Sequence, residues 1–156
     1  MKKTNVMRIL DGQSIPYQMH TYEASEAIGG MEVANAVNID HNRVFKTLVT
    51  IGKTKTYYVF LVPVAQELDL KKAAKAVGEK QIEMLKQKDL LPLTGYVHGG
   101  CSPIGMKKMF QTTIHHTAPD FDAIVFSAGR IGAQIEMSPS HLKQIIEYQT
   151  AEIILD

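Results

Sequence analysis

Two periodicities divide this chain into elements. Val6, Ile9 and Leu10 recur at helical spacing after Thr4, a residue suited to capping, and Gly12 ends the run. Residues 17–22 alternate as a strand, and 23–30 are small and polar with Ile28 as their one large apolar side chain. Residues 31–37 form a helix with Val33 and Val37 inward, followed by an Asn/Asp-rich turn at 38–42. Residues 44–51 and 56–64 read as a hairpin about Gly52-Lys53-Thr54-Lys55. Helices are expected at 68–77 and 81–87, then a short turn to Leu91-Pro92-Leu93. Strands follow at 111–117, 121–126 and 133–137. A last helix starts with Ser138 as cap and Pro139 at its first position, and a strand ends the chain at 152–155. Strands and helices are interspersed irregularly, which argues for an α+β fold rather than repeated βαβ units. With 156 residues and no linker or repeat, the chain reads as a single domain over 1–156.

The hairpin holds the most informative position. Phe45, Thr47, Val49 and Ile51 make one face of its first strand, and Val44, Lys46, Leu48 and Thr50 make the other. Lys46 is therefore flanked by apolar residues on its own face. Lone strand lysines are commonly solubilising charges. Here the partner strand, Tyr57-Tyr58-Val59-Phe60-Leu61-Val62, is apolar on both faces, so a closed or helix-covered sheet is expected, with Lys46 looking into an enclosed space.

Charge changes this picture in one respect. The net charge of +1 divides into −2 over residues 1–42, +7 over 43–110 and −4 over 111–156. A basic middle suits a polyanion such as RNA, and Lys71, Lys72 and Lys75, grouped on the outer side of one helix, are candidate phosphate contacts as well as an ordinary solvated face. No apolar run reaches the roughly 18–20 residues of a membrane span. Lys2-Lys3 precede no apolar leader segment, so the expected location is cytoplasmic.

The usual reactive constellations are missing. One cysteine, Cys101, excludes an internal disulfide and a thiolate zinc cage. His115 and His116 are adjacent, and on a strand they would point to opposite faces, so no metal or other cofactor is expected. Cys101 lies in the densest glycine cluster, Gly99-Gly100-Cys101-Ser102-Pro103-Ile104-Gly105, where exposed N–H groups could approach a ligand. That cluster lacks the Gly-Lys-Ser/Thr ending of a P-loop, and no Gly-x-Ser-x-Gly elbow occurs.

Five stretches in order carry a resemblance: Phe45-Lys46-Thr47-Leu48-Val49, Leu70-Lys71-Lys72-Ala73-Ala74-Lys75, Gly95-Tyr96, the glycine cluster, and Ser127-Ala128-Gly129. Nearly the whole chain resembles the YbaK/EbsC family of Cys-tRNA(Pro) deacylases, relatives of the editing domain inserted in bacterial prolyl-tRNA synthetase. The resemblance implies a mixed, mainly antiparallel barrel-like sheet surrounded by helices. It also implies clearance of cysteine from mischarged tRNA(Pro), with the substrate's own thiol attacking its ester and no protein nucleophile or metal needed. It makes Lys46 the essential residue, anchoring the terminal adenosine and its phosphates. Tyr22, Ile28, Gly99, Gly100, Cys101, Ser127, Gly129 and Glu136 become the pocket, Ile28 standing where relatives carry an aromatic and Cys101 where an aliphatic is more usual. The expected partners are aminoacyl-tRNA, chiefly mischarged tRNA(Pro), and prolyl-tRNA synthetase. The alternatives are a deacylase for another mischarged tRNA, such as Ala-tRNA(Pro), and a non-catalytic RNA-binding or synthetase-associated module.

Overall fold

The computed structural model describes residues 2–23 and 29–156. Eight strands form two sheets. The larger runs β4-β2-β3-β5-β8, with β2 (Phe45–Gly52), β3 (Tyr57–Pro63), β4 (Ile82–Met84), β5 (Gln111–His115) and β8 (Tyr148–Ala151). The smaller runs β1-β7-β6, with β1 (Gln18–Thr21), β6 (Ile124–Ser127) and β7 (Ala133–Met137). Within the larger sheet β5 pairs parallel with both β3 and β8, and β2 pairs antiparallel with β3 and β4.

The sheet is not closed into a barrel. Among the described residues, the two sheets join edge to edge at a one-residue parallel bridge between Val44 and Val125. The smaller sheet with α1 (Asn5–Gly12) covers one face of the larger sheet and α3 (Leu70–Val77) covers the other, which is why β3 can be apolar on both faces. Phe45, Val49, Val59 and Leu61 join residues of the smaller sheet, Phe126 and Ile135 among them, and α1 in the main core. Tyr58, Phe60 and Val62 face the other way and pack under Ala73 and Ala74 of α3. A third cluster joins Val44, Val64 and Val125 with Ala34 of α2 (Gly30–Ala36).

Local signals held where the chain satisfies its own backbone. The Thr4 hydroxyl accepts the Met7 N–H at the start of α1, and Asp69 caps α3 by accepting from Lys71 and Lys72. Gly78 ends α3 in the left-handed conformation at φ 75°. Ser138 caps α5 (Pro139–Leu142), with Pro139 at its first turn.

Two expectations fail, each for a tertiary reason. Residues 82–84 are strand β4 and not helix, because they pair with Thr50–Gly52 on the edge of β2. The helix comes later, as α4 (Gln87–Thr94), and it runs through Leu91-Pro92-Leu93, where a turn was expected to lead. The terminal strand lies at 148–151, paired with β5, while residues 152–155 contribute only a single bridge from Ile154 to Leu68.

Candidate active site

β2 builds the site through an interruption of its pairing. The Val64 N–H bonds the Val44 carbonyl at 2.9 Å, and the Gly52 N–H bonds the Thr56 carbonyl at 2.8 Å. Alternation along an antiparallel ladder then turns the backbone groups of the even-numbered residues toward β3 and those of the odd-numbered ones toward the opposite edge. On that opposite edge Val49 O accepts from Leu85 N at 3.0 Å, leading into β4, and the bridge to β6 forms at Val44. Thr47 falls between these two attachments, with no strand paired beside it among the described residues.

A cavity of about 400 Å³ opens at this gap. Four consecutive residues of β2, Phe45 to Leu48, line it. A pocket over one face of a strand would collect only alternate residues, so its position at the strand edge explains why both parities contribute. Of the residues singled out in the sequence, Tyr22, Lys46, Gly99, Cys101 and Ser127 line this cavity together. Gly29, Gly30 and Val33 from the start of α2, Leu90 of α4, and His98, Ile131 and Gln134 complete much of the remaining wall. A second concavity, of about 480 Å³, lies between α1 and β1 and holds none of these residues.

Lys46 keeps a loose hold outside the cavity. Its ammonium lies 3.5 Å from the Glu67 carboxylate, whose side chain is 75% exposed. Such a pair contributes at most about 1 kcal/mol. Cys101 is the opposite case. Burial pushes its thiol up to about 12, so it is protonated near neutral pH and is a poor nucleophile.

The two glycine loops are held by contact with each other. A Cβ at Gly100 would lie 3.0 Å from the Ile131 nitrogen and 3.1 Å from the Arg130 Cα, so only glycine allows this backbone approach. Gly129, at φ 102°, packs beside Tyr96, and its N–H bonds the Ser127 hydroxyl at 3.1 Å. The Tyr96 hydroxyl in turn bonds the Ile104 carbonyl. Gly100 and Gly129 thus sit behind the wall formed by Gly99, Cys101 and Ser127 rather than in it.

Glu136 is also placed outside the lining. One of its oxygens lies 2.7 Å from His20 Nε2, and the other accepts from Arg43 Nη1 at 2.8 Å. Burial raises its carboxyl, but the bonds from His20 and Arg43 outweigh this and hold it below its ordinary 4.5. The network ties β1 and β7 to the start of β2. Ile28 lies outside the described residues.

On α3, Lys72 is committed to the C-terminal segment, its ammonium bonding the Ile154 carbonyl at 2.7 Å and Asp156 at 2.9 Å, while Lys71 and Lys75 are exposed. His115 and His116 do not point to opposite faces. His115 ends β5, so strand alternation does not reach His116, and the two rings come within 4.4 Å. With Glu152 they bring three potential ligand atoms within 4.8 Å of one another, although the same carboxylate also carries Lys72 at 3.3 Å.

Thr47, on the strand face opposite Lys46, is not among the expected site residues. It lines the cavity, and its hydroxyl is inaccessible to water and has no hydrogen-bond partner among the described residues. Gln134, buried in β7, was not singled out at all. Neither strand pattern distinguishes a pocket wall from a core wall.

Residues 26–145 match the aminoacyl-tRNA editing domain. The chain belongs to the aminoacyl-tRNA editing domain family. This editing domain is 46% identical over 153 residues to an Enterococcus faecalis protein, EbsC, which is provisionally named a Cys-tRNA(Pro)/Cys-tRNA(Cys) deacylase. The match covers 97% of this chain and 93% of that protein. A crystal structure described as that of a candidate trans-editing enzyme for prolyl tRNA synthetase superposes with TM-score 0.83 at 22% identity, covering 99% of this chain and all of the other. A hypothetical protein of 16% identity superposes with TM-score 0.87 over 97% of this editing domain and all of its own chain. At these identities the two structures support the fold alone.

Proposed function

We propose that this editing domain is a trans-acting aminoacyl-tRNA deacylase that removes cysteine from mischarged Cys-tRNA(Pro). The observation that carries the reading is a lysine ammonium at the wall of a pocket whose one thiol is held protonated. That arrangement can anchor an aminoacyl ester while offering it no activated protein thiol. The substrate class is supported by the relative named for cysteine deacylation.

The substrate supplies what the pocket lacks. Its cysteine sulfur attacks its own ester carbonyl carbon, and the carbon–oxygen bond to the terminal ribose breaks. The proton lost by the thiol is balanced by one gained on the ribose oxygen. The products are free tRNA and a cyclic thioester, which water opens to cysteine. Lys46 anchors the terminal adenosine and its phosphates and stands ready to donate a proton. Gly99 and the Ser127 loop hold the aminoacyl end, Tyr22 closes one side, and Cys101 acts as a small neutral wall. Cysteine reaches tRNA(Pro) because a synthetase pocket separates side chains of similar size poorly. The protein therefore serves the errors of prolyl-tRNA synthetase, in the cytoplasm where tRNA is charged.

The test is deacylation of tRNAs charged with cysteine, alanine or serine. Lys46→Ala is expected to abolish clearance of the cysteine ester and Cys101→Ala to retain it, while the serine ester persists. Loss of activity in Cys101→Ala, or rapid clearance of the serine ester, would refute the substrate-thiol route. Turnover of no aminoacyl-tRNA by the wild type would leave a binding module in its place.

A further inference from the structure

If the pocket receives the terminal adenosine and its ester, the preceding phosphates must leave across one of its lips. Two of the wall-forming segments carry adjacent basic pairs. Leu85 bonds β2 at Val49, and Leu90 lines the cavity, so the chain between them borders it and presents exposed Lys86 and Lys88. The glycine loop contributes Gly99 and Cys101 to the wall and then runs to exposed Lys107 and Lys108. The Lys107 N–H bonds the Thr94 carbonyl at 3.1 Å, which brings this second pair against the far end of α4. The two pairs therefore bracket a helix of about 12 Å that itself supplies a pocket residue.

The surface has the composition of a nucleic-acid contact. Among the described residues none of these four lysines makes an ion pair with a carboxylate, and the acidic side chains on the same segments are Glu83 and Asp89. Exposed Leu91, Val97 and Met109 lie along the same segments and offer apolar contact to ribose and base faces. The competing basic surface on α3 is weaker. No residue of α3 lines the cavity, and Lys72 is occupied by Glu152 and Asp156.

Resting on the aminoacyl-tRNA reading, we infer that the phosphate backbone of the tRNA acceptor end docks along α4, on Lys86, Lys88, Lys107 and Lys108. Contacts of this kind position the substrate and carry little sequence information, and they weaken with salt.

The test compares charge reversals in the full chain, Lys86→Glu with Lys88→Glu, Lys107→Glu with Lys108→Glu, and Lys71→Glu with Lys75→Glu, with the milder Lys→Gln pairs alongside. Two readouts are taken: kcat/KM on Cys-tRNA(Pro) against a 3′-cysteinyl ester of adenosine, and the salt dependence of binding to uncharged tRNA(Pro). Each α4-side pair is expected to lower the tRNA rate at least tenfold more than the adenosine-ester rate, and each Lys→Gln pair to reduce the log–log salt slope by about 2. The α3 pair is expected to change the tRNA rate by less than twofold. Equal losses on the two substrates, or a dominant loss from the α3 pair, would overturn the inference. A wild type that binds tRNA through the α4 lysines but cleaves no ester upholds this surface and defeats the deacylase reading alone.

Discussion

Replacing Thr47 by valine separates a pocket role from a packing role, because the two predict opposite changes in stability. Among the described residues, the Thr47 hydroxyl is shut away from water without a partner, at a point where β2 pairs with no strand on its open edge. An unpaired buried hydroxyl costs about 1–3 kcal/mol, and valine offers nearly the same shape without that cost. Taking the lower end, because the side chain borders a cavity, Thr47→Val gains about 1 kcal/mol. For a domain of this size that raises Tm by about 2–4 °C. A substrate that satisfies this hydroxyl loses a hydrogen bond in the variant and keeps an unpaired polar group of its own, together about 1.4 kcal/mol, or roughly tenfold in kcat/KM. Thermal unfolding and single-turnover deacylation of Cys-tRNA(Pro) measure the two effects, with Thr47→Ser retaining most of the rate. A lowered Tm would mean that the hydroxyl is satisfied in the free protein. A raised Tm with an unchanged rate would mean that the substrate does not use it.

Glu136→Gln removes the charge shared by His20 and Arg43 and is expected to cost about 2 kcal/mol at pH 7, or about 4–8 °C in Tm. Because the folded carboxyl sits below its ordinary 4.5, that contribution is present above this value and is lost as pH falls through the folded one. Denaturation curves of the two proteins should therefore converge in acid, and a constant gap would refute the linkage. Gly100→Ala forces a Cβ against the backbone of Arg130 and Ile131. Denaturant titration should show a loss of about 1–3 kcal/mol, with activity falling through displacement of both loops. Finally, Cys101 should resist alkylation by iodoacetamide at pH 8 in the native state and react once the protein is unfolded, since its thiol is raised to about 12 only by burial; rapid native alkylation would contradict this.

The legible part of the molecule was local. Thr4 and Ser138 each work within a turn of their own position, so these two helix starts could be read from letters alone. The apolar flanks of Lys46 and the doubly apolar β3 likewise announced a covered sheet, because burial leaves its mark on composition wherever it occurs. The ordered family motifs then supplied the editing activity and named five of the residues that line the cavity. What remained illegible depended on partners distant in the chain. Residues 82–84 became a strand because β2 had a free edge, and Glu136, outside the cavity lining, is held by His20 and Arg43 from far along the chain. His116 came beside His115 because β5 ends between them.

Lys46 shows both contributions. Its chemistry, an ammonium on an apolar face, was written in five consecutive residues. Its site was decided when β4 and β6 attached to the same edge of β2 and left Thr47 between them. A strand's side-chain pattern records what covers its faces, but not where its edge goes unpaired, and here the pocket opens at that edge.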